Sequence, residues 1–146
     1  MRTPASIAKH PIHPMLVPLA IGLWVFSFVC DLTFVFGSGA SLWYTLAFWT
    51  IIGGIAGAVL AAVPGVIDML SLTGTPKKLA LIHMALNVTV ILLYAVNLGM
   101  RIAGDPVAGI PLVLTVVSIA LLGVSGWIGG HMVYVHRVGV DEPVTR

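Results

Sequence analysis

The chain has 146 residues, 59% hydrophobic and 8% charged, with a mean hydropathy of +1.09 and a formal charge of +2. A soluble domain carries about a quarter charged residues, so this composition excludes an ordinary soluble enzyme and indicates an integral membrane protein. Cys30 is the only cysteine, which excludes a disulfide framework, a CxxC pair and a CxxCH haem attachment; no basic patch suits nucleic acid.

Residues 1–13 form a polar lead without the features of a cleavable signal. It ends in His10-Pro11-Ile12-His13-Pro14, where a proline after each histidine predicts extended or turn-like backbone. Pro14 suits the first turn of a helix, where its missing N–H costs nothing. A first apolar span is predicted over 15–36, stopped by Gly37-Ser38-Gly39. A second is predicted over 42–70, with Trp43, Tyr44 and Trp49 as an interfacial belt. Thr73 to Lys78 reads as a turn, a third span covers 79–102 up to Gly104-Asp105-Pro106, and a fourth covers 108–135 before a polar tail. Each stretch is long enough for a hydrocarbon core, which takes about 20 helical residues. Short loops force neighbouring helices antiparallel. The expectation is one domain, an all-α antiparallel four-helix transmembrane bundle, with no internal repeat evident.

Arg2, Lys9, Lys77, Lys78, Arg137 and Arg146 fall at one end of such a bundle, and only Arg101 falls at the other, near Asp31 and Asp105. The positive-inside rule then predicts both termini in the cytoplasm and a multi-pass protein of a bacterial-type inner membrane. Two rows of small residues stand out, Gly53, Gly57, Ala61 and Gly65 in the second span and Gly123, Gly126, Gly129 and Gly130 in the fourth. Such rows let membrane helices approach closely; they also offer a flat wall to a planar cofactor.

All five histidines fall at the basic end: His10 and His13 before the first span, His83 early in the third, His131 and His136 closing the fourth, with Asp68 closing the second. In the third span His83, Asn87, Tyr94, Asn97 and Arg101 fall within about 40° of one line at about 100° per residue. The first span carries a matching line of His13, Trp24, Ser27 and Asp31. Polar stripes in lipid must face the bundle interior, where each group needs a partner. At the far end that pairs Asp31 with Arg101 as a structural ion pair; the near end of both lines is histidine.

Three chemistries fit. The first is b-type haem ligation by imidazoles from different helices, with His83 and His131 as first-choice ligands and His13 as substitute. Gly65, Gly126, Gly130, Trp24 and Trp127 would supply walls, Asn87 a hydrogen-bond partner, and Lys77, Lys78 and Arg137 cations for propionates. The second is a divalent metal held by His13, His83, His131 and Asp68. The third is proton handling by the same histidines. A membrane scaffold without cofactor stands beside these, and no nucleophile, base or phosphate loop signals an enzyme. The expected partners are the lipid bilayer, a separate redox protein and, as a homo-oligomer, further copies of the chain.

The run His10-Pro11-Ile12-His13-Pro14-Met15-Leu16-Val17, with Ile21-Gly22-Leu23-Trp24 and Asp31, resembles the opening of the DUF2231 family of bacterial membrane proteins. Gly65-Val66-Ile67-Asp68, His83 with Asn87, and Gly129-Gly130-His131-Met132-Val133-Tyr134 with Gly139 are similar to its later motifs. The resemblance implies a four-helix membrane protein of uncharacterised function. Fusion of some members to Rieske-type iron–sulfur domains implies electron transfer, here with a separate partner. The chain departs from the family at Val17-Pro18, where relatives more often place a histidine and a phenylalanine before the proline.

Overall fold

The computed structural model describes residues 3–140. Four helices dominate it: α1 (Ile12–Phe36), α2 (Ser41–Leu70), α3 (Gly74–Ala103) and α4 (Ile110–Tyr134). All four are long and apolar enough to cross a membrane. They coincide with the four predicted spans to within a few residues, with the largest shift at the start of α3. There the predicted turn over Thr73–Lys78 is helical from Gly74 onward, because Pro76 falls in the first turn, where no backbone N–H is needed. The HPIHP run is extended only in its first half; His13 is helical despite the proline that follows it, because Pro14 falls in the first turn, where no backbone N–H is needed. His10–Pro11 is an extended strand, β2, paired with β1 (Ser6–Ile7), and the helix begins at Ile12.

Side-chain bonds give the helix directions. His13 meets Ala61 and Ser27 meets Ala47, so α1 and α2 run antiparallel. His83 meets Ser125 and Asn97 meets Pro111, so α3 and α4 do too. His13 faces His83, Trp24 stacks on Tyr94 and Asp31 pairs with Arg101, so α1 and α3 run parallel. The helices pack tightly within each hairpin, α1–α2 and α3–α4, and more sparsely between hairpins.

The two hairpins repeat one another. His13, Trp24, Ser27 and Asp31 of α1 have the spacing of His83, Tyr94, Asn97 and Arg101 of α3. Ala47, Ile51, Ala61 and Gly65 of α2 have the spacing of Pro111, Thr115, Ser125 and Gly129 of α4. Equivalent residues make equivalent bonds: Ser27 donates to the Ala47 carbonyl as Asn97 donates to that of Pro111. The expectation of no internal repeat is thereby corrected. The arrangement is a parallel repeat about an axis along the bundle, as in some transporters.

Along that axis the core has three levels. The Asp31–Arg101 pair, 2.6 Å apart and buried, closes the far end, with Thr115 donating to Asp31 and Asn97 accepting from Arg101. In the middle Trp24 and Tyr94 stack at 4.6 Å between ring centroids, among Ala20, Ile51, Val90 and Leu122. Gly54 permits this stack, since a Cβ there would lie 2.4 Å from the Trp24 indole. The third level holds the histidines.

Candidate cofactor site

His13 lies in the first turn of α1, and its Nδ1 is 2.7 Å from the carbonyl oxygen of Ala61 in α2. A carbonyl only accepts, so Nδ1 carries a proton and donates it to Ala61. Two features of α2 make room for this contact. Pro64 gives Leu60 no intrahelical N–H, which loosens the turn containing Ala61. Gly65 has no Cβ, and one built there would lie 2.8 Å from His13 Nδ1.

His83 repeats the arrangement in the other hairpin. Its Nδ1 is 2.9 Å from the carbonyl oxygen of Ser125 in α4 and 2.9 Å from the Ser125 hydroxyl. Asn87, one turn on, donates to both the His83 carbonyl and Ser125 Oγ at 2.8 Å. Gly129 takes the place of Gly65: a Cβ there would lie 3.2 Å from His83 Cε1. Each imidazole is therefore tethered through Nδ1 to its own hairpin. The two ring centroids are 6.1 Å apart across the seam, with the ring planes at 90°.

Between the hairpins lies a cavity of about 340 Å³, within the usual range of small-molecule sites. His13, Trp24, Gly65, His83, Asn87, Gly126, Gly129 and Gly130 all line it, amid mostly apolar neighbours. Its wall reaches residues on the outer surface of the bundle at both seams, Ala62, Val66 and Val88 on one side and Pro14, Pro18 and Gly126 on the other.

The open end of the cavity is covered by chain termini. The Ala5 N–H donates to Asp68 Oδ1 at 2.8 Å and the Ala5 carbonyl accepts from Ile12 N–H at 2.9 Å, which folds the β1–β2 hairpin over the bundle. Its two-residue turn, Ala8–Lys9, holds positive φ at both positions without a glycine, a strained choice for such a turn. Gly139, with φ +77°, lies against Pro11 from the other terminus.

Two of the remaining predicted residues fall elsewhere. His131 is exposed, outside the cavity wall, with its ring 5.2 Å from that of His136. Trp127 is 81% exposed and faces outward, so it is no wall of this cavity. Both sit on the outer side of α4, whose cavity side is taken by Ser125 and Gly129. Asp68 lines the cavity but accepts from the Ala5 N–H. The set of three imidazoles and one carboxylate is not gathered, and among the described residues no group of three or more His, Cys, Asp or Glu is placed to hold a metal ion. Arg2 and Arg146 lie outside the described residues. Sequence reasoning missed Ser125 and the Ala61 carbonyl; the spacing shared by the two hairpins was the signal that could have found them.

A family model described as a predicted membrane protein matches residues 9–142. Neither a curated protein nor a solved structure matches the chain.

Proposed function

The chain belongs to the DUF2231 family of predicted membrane proteins, and from that premise we propose that it is a redox-type membrane module binding b haem between its two hairpins, on His13 and His83. One observation carries the reading. Two imidazoles, each with Nδ1 held by a backbone carbonyl of its own hairpin, face one another across a glycine-walled slot. Axial histidines commonly donate their second ring nitrogen in this way, which fixes the tautomer and the ring orientation.

His13 and His83 would hold the haem, and the chemistry it would supply there is one-electron transfer. The rest falls to the protein. Gly65 and Gly129 let the rings approach their carbonyls, Trp24 closes the inner end, and Lys77, Lys78 and Arg137 put cations at the histidine end for propionates. We place that end at the cytoplasmic side of an inner membrane, on the bias of Lys and Arg, and the electron partner is a separate protein meeting that face.

His13→Ala and His83→Ala are each expected to abolish the low-spin haem spectrum at equal membrane expression, while His131→Ala keeps it. A His83→Ala protein with the wild-type spectrum would remove the assignment.

A further inference from the structure

The far half of the seam contains a group of polar atoms that haem binding does not use. Asp31 receives Arg101 and Thr115 on one oxygen only, Oδ2. Arg101 spends NH2 on Asp31 and Nε on Asn97. Asp31 Oδ1 and Arg101 NH1 are left buried and without a hydrogen-bond partner among the described residues. The hydroxyls of Tyr94 and Ser118 are in the same condition, and both side chains are fully buried.

These four atoms lie on buried residues of α1, α3 and α4 in the half of the bundle away from the histidines. Ser118 lies about one turn inward from Thr115 on the buried side of α4. Tyr94 lies about two turns inward from Arg101 on the buried side of α3. As a set they are complementary: a carboxylate oxygen that only accepts, a guanidinium nitrogen that only donates, and two hydroxyls that do either. A single orphan could be strain. Four with matched polarity, in a bundle whose outside is hydrocarbon, describe the wall of a polar site.

We propose that this part of the seam is a buried water site, in which one or more ordered waters bridge Asp31 Oδ1, Arg101 NH1, Tyr94 OH and Ser118 Oγ. Water is the ligand class that fits, because the wall is neutral overall, offers both donors and acceptors, and supplies the several partners a buried water takes. The stacked rings of Trp24 and Tyr94 separate it from the histidine cavity. Through such water the Tyr94 hydroxyl is in hydrogen-bond continuity with the Asp31 carboxylate. The inference stands independently of haem.

The test is X-ray radiolytic labelling of the full chain in lipid nanodiscs, with thermal unfolding of Tyr94→Phe beside wild type. Bound water generates hydroxyl radical next to the ring, so Tyr94 is expected to be oxidised despite its burial. Tyr94→Phe is expected to lower Tm by about 2–4 °C, since the water loses a partner. No oxidation at Tyr94, or a Tyr94→Phe Tm equal to or above wild type, overturns the proposal, because removing an orphaned hydroxyl from a dry core stabilises.

Discussion

At the scale of single residues, two glycines decide whether the histidines can reach their carbonyls. A Cβ at Gly65 meets His13 Nδ1 at 2.8 Å, and that ring cannot retreat without giving up its 2.7 Å bond to Ala61. Losing such a bond is worth about 0.5–1.5 kcal/mol. Gly65→Ala should therefore weaken haem binding roughly three- to tenfold in a hemin titration. Gly129→Ala should do less, because its 3.2 Å approach needs a smaller shift of His83. Gly22→Ala, with nothing within 4 Å, should leave the titration unchanged. Part of this site was legible. The stripe from His83 to Arg101 and the line from His13 to Asp31 face the interior as their spacing requires, and the Asp31–Arg101 pair forms. The choice of His131 failed to find the cavity because position at one end of a helix says nothing about azimuth. Ser125 and Gly129 already occupy the inner side of α4.

At the scale of elements, the helices were readable and their edges were not. Proline and short polar runs mark a turn only where backbone N–H groups are needed; Pro76 in the first turn of α3 removes none that the helix uses. The covering hairpin was unreadable for another reason, since it depends on Asp68, a residue far away in sequence. Between elements, Asp31 and Arg101 join the hairpins at the end away from the histidines. Taking one charge away leaves the other buried without a partner, which costs about 3–5 kcal/mol, whereas removing both is far milder. Arg101→Leu should thus be strongly destabilised, and Asp31→Leu with Arg101→Leu should recover most of the loss in the same unfolding assay. About 27 Å of helix separates Asp31 from His13 at 1.5 Å per residue. The haem spectrum of the double variant should therefore match wild type, which separates a structural clasp from a ligand-positioning role.

At the scale of the whole molecule, the organising feature is the doubled hairpin. It puts His13 against His83, Trp24 against Tyr94 and Asp31 against Arg101 across one axis. Sequence inspection passed over it because only the histidine is the same residue in both copies of the stripe. The connection from Arg101 to Pro111 is also shorter than that from Asp31 to Ala47, so no single period superimposes both helices. The symmetry supports the central claim, that each hairpin contributes one axial histidine to a haem held between them. A reduced-minus-oxidised absorption spectrum of detergent-purified protein, expressed with ample haem and quantified per chain, tests it most directly. One haem per chain is expected, with the sharp reduced bands of a low-spin b haem. A colourless protein under those conditions, or haem far below one per chain, would contradict it.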